Sequence, residues 1–169
     1  MKIYLAGPLF TTAERLFNQE LARRLRASGH EVWLPQEHEE VVLEHVFQSC
    51  VEGILWSDVV VACMDGPDPD SGTCAECGFA YRKRPIVAYR TDFRAGGDGG
   101  SWNYNLVLEG MATVRLDAVH AGKQGDPIDD LNQAICASLE PLEIEDFVRG
   151  THELEKIEDE PSTNSRRKS

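Results

Sequence analysis

The chain has 169 residues, 41% of them hydrophobic and 27% charged, a balance that fits one globular domain and excludes a fibre or a wholly disordered chain. Its formal net charge of −12 repels phosphate backbones over the whole surface, so general nucleic-acid binding is not expected. The apolar runs fall short of the roughly 20 residues a spanning helix needs, and Met1-Lys2-Ile3-Tyr4 leads into a strand rather than a signal peptide, so a cytoplasmic protein with no membrane partner is expected.

Residues 2–6 read as a first strand. The spacing of Phe17, Leu21 and Leu25 predicts a helix over 13–27, closed by Ser28-Gly29. A short strand follows over 31–34. Val42, Val46, Cys50 and Ile54 then form an i, i+4 series beside a second one of Leu43, Phe47, Val51 and Leu55. Two apolar stripes predict a largely buried helix, in which Cys50 is most simply a buried structural thiol. Residues 58–64 are a near-continuous apolar run of the kind buried on both faces in a parallel sheet. Prolines and a glycine in Asp65-Gly66-Pro67-Asp68-Pro69-Asp70 stop that strand, after which Thr73 is expected to cap a helix with Glu76 in its first turn. Strands are expected over 85–90 and 113–116. Between them, residues 91–101 include Gly96, Gly97, Gly99 and Gly100 and read as a flexible loop. A last helix spans 126–139, with Pro127 suited to its first position. Five strands alternating with helices predict a doubly wound α/β fold, a five-stranded parallel sheet with helices on both faces. The domain is expected to cover 1–149, and the charged to polar tail over 150–169 to be disordered.

The stretch Asp70-Ser71-Gly72-Thr73-Cys74-Ala75-Glu76-Cys77-Gly78 sets two carboxylates six residues apart just past an apolar strand. Open α/β sheets bind ligands beyond the carboxyl ends of their strands, which aims Glu76 at a crevice. Complementing the helix dipole is the other reading of Glu76, and the local pattern leaves both open. The five cysteines are an odd number without an export signal, so no disulfide framework is expected. Cys74 and Cys77 form a CxxC without the second pair that a zinc site wants; a redox role remains an alternative, and no metal is expected. Arg23, Arg24 and Arg26, and again Arg82, Lys83 and Arg84, read as solvated faces and favourable charge near helix ends.

Several of these pieces occur together in one family. Ile3-Tyr4-Leu5-Ala6-Gly7-Pro8, the Asp58 strand, Asp70-Ser71-Gly72-Thr73 leading to Glu76 and Gly78, then Lys83-Arg84-Pro85-Ile86 and Asn105-Leu106, stand in the order and spacing of the nucleoside 2-deoxyribosyltransferases. Over residues 2–116 the chain resembles that family, together with its relatives that hydrolyse the N-glycosidic bond of nucleotides. The resemblance implies that Glu76 attacks the anomeric carbon and holds the deoxyribosyl group covalently, as in a retaining glycosidase. It implies that Asp70 helps protonate the departing base, although an Asx-turn role is open. It implies a substrate-binding set of Tyr4, Gly7, Phe10, Gly72 and Asn105. Tyr4 would orient the nucleophile and Asn105 would reach the neighbouring subunit's site; on pattern alone, Tyr4 is a strand residue beside the core and Asn105 a helix cap. The implied partners are a nucleoside, a nucleobase and further copies of the chain in a homo-oligomer, with no cofactor, in a nucleotide-salvage setting. Two departures stand out. Cys50 occupies a position where the family commonly has an aspartate, and Phe10 one where the nucleotide hydrolases have a basic residue. The second favours a nucleoside over a nucleotide, with Arg15 further on as an alternative basic group. An N-glycoside hydrolase of deoxynucleosides or deoxynucleotides, or a non-catalytic nucleoside-binding protein on the same fold, are the competing functions.

Overall fold

Val59–Cys63 forms a strand buried along its whole length, as a run of β-branched and small apolar residues requires, and it lies at the centre of the sheet. The computed structural model describes residues 1–38, 43–94, 96–98, 104–117 and 125–142. In chain order the elements are β1 Lys2–Ala6, α1 Thr12–Ala27, β2 Glu31–Trp33, α2 Leu43–Trp56, β3 Val59–Cys63, α3 Ser71–Ala80, β4 Ile86–Arg90, α4 Leu106–Met111, β5 Val114–Asp117 and α5 Pro127–Leu139. A single 3-10 turn, Pro35–Glu37, shortens β2 relative to expectation because Pro35 has no N–H for the ladder. All four strand pairings are parallel, in the order β2-β1-β3-β4-β5. The chain winds outward from β1 to β2, crosses over to β3 and continues to β5. Its direction of winding therefore reverses between β1 and β3, the topological switch point where such sheets open a crevice.

Alternation along the strands divides the core in two. Ile3, Leu5, Val59, Val61, Val87 and Tyr89 meet Leu21 and Leu25 of α1 and Leu131, Ile135 and Leu139 of α5. On the other face Tyr4, Ala6, Val60, Ala62 and Ala88 pack with Ile54 of α2, Cys77 and Ala80 of α3 and Leu108 of α4. Ala6, Ala62 and Ala88 stand side by side in register. This row of methyl groups lets α3 lie close over β1 and β3, which is what brings its side chains within reach of Tyr4. The expected doubly wound parallel sheet is thus present, with helices on both faces.

Several local expectations change. Residue Asp70, three before Thr73, caps α3: its side chain accepts from the Thr73 amide at 2.9 Å and from the Thr73 hydroxyl at 3.2 Å. Glu76 consequently lies in the second turn, where dipole complementation no longer accounts for it. The second helix is less buried than its two stripes imply. Ile54 is buried, but Val46, Phe47 and Leu55 are exposed, Phe47 by 72%; Val42 lies outside the described residues. The glycine-rich segment is described only in part. Its beginning is tied down, because the Asp65 carboxylate accepts from the Thr91 and Asp92 amides at 2.6 and 2.8 Å and from the Thr91 hydroxyl. The tail over 150–169 lies outside the described residues. Among the described residues, no helix is long and apolar enough to cross a membrane.

Arg84 does more than add charge to a helix end. Its guanidinium donates to the carbonyls of Leu55 at 2.6 Å and Ser57 at 2.5 Å, closing the end of α2 from a distant part of the chain. Gly53, nearby, is required by contact: a Cβ there would fall 2.6 Å from the Trp33 indole nitrogen. Trp33 has little room to yield, since it stacks on His38 at 4.0 Å and tilts against Trp56 at 5.8 Å. Gly53→Ala is expected to destabilise the fold by about 1–3 kcal/mol through overpacking, read as a lower urea midpoint at unchanged slope.

Candidate active site

Tyr4 is fully buried on β1, and a buried phenol needs a partner. It donates to Oε1 of Glu76 at 2.6 Å. The bond joins the strand at the switch point to the second turn of α3, near the carboxyl edge of the sheet. It is short because one partner is a carboxylate. Burial pushes the Glu76 pKa above the ordinary carboxylate range, and the charge of Asp70 adds to that rise. Hydrogen bonding from Tyr4 and Cys50 works in the opposite direction, favouring the ionised form. Burial, then the neighbouring Glu76 charge, drives Tyr4 far above the ordinary phenol value, so it remains a donor.

Cys50 on α2 is half-buried and not enclosed in the core, which corrects its reading as a buried structural thiol. The helical period did place Cys50 on one stripe with Val46 and Ile54, but that stripe runs from exposed Val46 to buried Ile54 and is not closed over its whole length.

Asp70 is half-buried at the start of α3, and both of its cap bonds fall on Oδ2, so Oδ1 takes no part in the cap. Gly72 keeps this corner open, since a Cβ there would begin 3.0 Å from Asp70 Oδ2. Gly7 follows β1 at the same edge, with room for a Cβ only at 3.3 Å from that of Cys63. Phe10 is 77% exposed just before α1, and Arg15 lies in the first turn of that helix. Asn105 caps α4, accepting from the Val107 amide at 2.9 Å; within one chain it acts as a capping residue. A cleft of about 430 Å³ also opens at the switch point, lined among others by Pro8, Asn18, Asp65 and Thr91.

Other candidates fall away from this constellation. Cys77 points into the core, where burial pushes its thiol up to about 12, the opposite of an activated redox cysteine. Among the described residues, no group of three or more His, Cys, Asp or Glu side chains is disposed to hold a metal ion. Arg24 pairs with Glu20, Asp126 and Asp129, and Arg26 with Glu37, so these guanidinium groups brace α1 against its neighbours.

The family model for nucleoside 2-deoxyribosyltransferase matches residues 3–129, a span that holds Tyr4, Cys50, Asp70, Glu76 and Asn105. The chain belongs to this family. Membership supports nucleoside deoxyribosyl transfer or cleavage of an N-glycosidic bond as the class of chemistry. Among solved structures, a conserved protein from Enterococcus faecalis V583 is 28% identical with a TM-score of 0.63, covering 82% of this chain and 98% of its own. The 2-deoxyribosyltransferase of Bacillus psychrosaccharolyticus shares the fold at 22% identity and a TM-score of 0.57, covering 78% of this chain and 90% of its own. So does the CMP N-glycosidase of Clostridium botulinum, at 16% identity and a TM-score of 0.56, over 82% of this chain and 99% of its own. No curated protein sequence gives a significant match.

The cap and any chemical role of Asp70 separate by substitution. Asp70→Asn keeps an oxygen for the Thr73 amide and is expected to unfold within about 0.5 kcal/mol of the parent, whereas Asp70→Ala loses about 1 kcal/mol. Urea titrations of the two variants measure the difference.

Proposed function

We propose that the protein transfers 2-deoxyribose between nucleobases through a covalent intermediate on Glu76. The observation that carries the reading is the Glu76 carboxylate, half-buried near the switch-point edge and held by the Tyr4 hydroxyl at 2.6 Å. A glycosyl centre that loses its base passes through an oxocarbenium-like state, which a fixed carboxylate stabilises and then captures. Glu76 attacks C1′ as the N-glycosidic bond breaks, and the base takes its electron pair together with a proton. Asp70, one helical turn and a half away and with Oδ1 outside the cap, supplies that proton and recovers it from the incoming base. The nitrogen of a second base then displaces Glu76 from C1′. The exposed phenyl ring of Phe10, at a position where the related nucleotide hydrolases carry a basic residue, suits a nucleoside better than a 5′-phosphate. Water in place of the second base gives hydrolysis.

The protein is also proposed to work as a homo-oligomer, in keeping with the implied role of Asn105 at a neighbour's site. Val46 and Phe47 of α2 and Leu106 and Val107 of α4 are exposed on the face that carries Glu76, and a second copy would cover them. Phe47→Glu is expected to lower the mass measured by light scattering toward that of one chain.

Incubated with deoxyinosine and adenine, the protein is expected to form deoxyadenosine, and Glu76→Ala to form none. Hypoxanthine release without transfer would replace the transferase reading by a hydrolase, and no turnover would leave a binding protein.

The reactive form of Glu76 is ionised, so activity is lost as pH falls through a pKa that lies above the ordinary carboxylate range. Tyr4→Phe removes a donor to the ionised form and is expected to move that acidic limb up by about one pH unit. A pH profile of kcat/KM for both proteins measures the displacement.

A further inference from the structure

At the amino ends of β1 and β2, the edge of the sheet away from Glu76, a second cleft of about 440 Å³ opens beside α5. Met1, Ser28, His30, Asn132, Gln133 and Cys136 are among the residues that line it. Gly29, with φ of +92°, turns the chain sharply out of α1 and delivers His30 to this place. There the His30 Nε2 lies 3.5 Å from the Cys136 sulfur. The Cys136 thiol donates to Oδ1 of Asn132 at 3.9 Å, and the Asn132 amide donates in turn to the Ser28 hydroxyl at 3.1 Å. Cys136 and His30 are both half-buried, so the sulfur is met through the cleft. The His30 Nδ1 is buried and has no hydrogen-bond partner among the described residues. A proton there would be an orphaned N–H, the rarer and costlier case, so the ring carries its proton on Nε2, against the sulfur. Burial lowers the His30 pKa and keeps the ring neutral. The other cysteines are placed differently. Cys63 and Cys77 are enclosed in the core, where burial pushes both thiols up to about 12. Cys74 donates to the Pro69 carbonyl at 3.6 Å, and burial raises its pKa, as it does that of Cys50. Among the described residues, Cys136 is the cysteine with an imidazole hydrogen-bonded at its sulfur.

We propose that Cys136 is a site of covalent modification, a thiol that exchanges with small polar disulfides admitted by this cleft while the His30 N–H holds its sulfur. The thiol gives its proton to water, its sulfur bonds to one sulfur of the disulfide, and the S–S bond breaks. The departing half leaves with the electron pair as a thiolate and takes up a proton. Cys136 is thereby oxidised to a mixed disulfide, and the departing half is reduced. The attacking sulfur carries negative charge, which an N–H at hydrogen-bonding distance steadies. Ser28, Asn132 and Gln133 give the cleft polar groups for the half that stays. Because the cleft stands at the opposite edge from Glu76, the modification does not depend on the glycosyl-transfer reading and holds whether or not the protein turns over nucleosides.

The test uses the full chain, reduced and then exposed at neutral pH to the uncharged probe bis(2-hydroxyethyl) disulfide. Samples quenched over time with N-ethylmaleimide are read by intact mass and by peptide mapping. The expected first product carries one mercaptoethanol group per chain, on the peptide that holds Cys136. It is expected to form about tenfold faster than an adduct on Cys50 or Cys74, and Cys136→Ser is expected not to form it. His30→Phe keeps a ring without the N–H and is expected to slow the reaction at Cys136 about tenfold. Amide spectra of both variants report that they are folded. A first adduct on any other cysteine, or an internal Cys74–Cys77 disulfide formed ahead of any adduct, would overturn the proposal. So would a rate at Cys136 that is unchanged in folded His30→Phe.

Discussion

The hydrogen bond from Tyr4 to Glu76 is the constraint around which the rest of the site is arranged. Each group makes the other tolerable in a buried place. A phenol with no acceptor, or a carboxylate with no donor, would cost more than the core could easily offset. Paired, they tie the strand beside the switch point to the helix that follows the central strand. The pairing needs α3 to lie near the sheet, and the registered row Ala6, Ala62 and Ala88 makes that approach possible. Larger side chains in that row would lift the helix and carry Glu76 away from Tyr4.

The remaining edge is held by backbone-directed side chains. Asp65 grips the chain just after β4, and the buried Arg90 guanidinium donates to the carbonyls of Met64, Gly66 and Arg94, so the segments leaving β3 and β4 are tied to one another. Asp70 closes the first turn of α3 and Arg84 the last turn of α2. A site on such an edge is preorganised, because its loops cannot drift without breaking charge-assisted bonds. Reactive carboxylates need that rigidity, since stabilising a transient cation depends on geometry fixed beforehand.

Much of this was legible in the sequence, and what was not has definite physical causes. The apolar runs give all five strands, because burial on both faces leaves a signal independent of partners. The start of α3 was misplaced by three residues, since Asp70 and Thr73 are both good caps; Asp70 prevails by accepting from the amide and hydroxyl of Thr73 itself. The two stripes of α2 are real, but periodicity says only that a face is apolar, not that the same chain covers it. Cys50 sits on such a stripe, half-buried between exposed Val46 and buried Ile54, and the period alone does not distinguish that place from a closed core. The Arg84 cap and the Gly53–Trp33 contact were hidden because they join segments that no local pattern connects. Tyr4 and Glu76 stand 72 residues apart, and their pairing came into view through family resemblance, which the bond length then gave a physical form.

The covalent intermediate is the centre of this account, and intact-mass spectrometry tests it most directly. The protein is mixed with deoxyinosine, quenched in acid within one turnover, and its peptides are mapped. The account predicts a fraction of chains heavier by one deoxyribosyl group, with the added mass on the peptide that holds Glu76 and none in Glu76→Gln. Rapid release of hypoxanthine with no mass added to any peptide would contradict it.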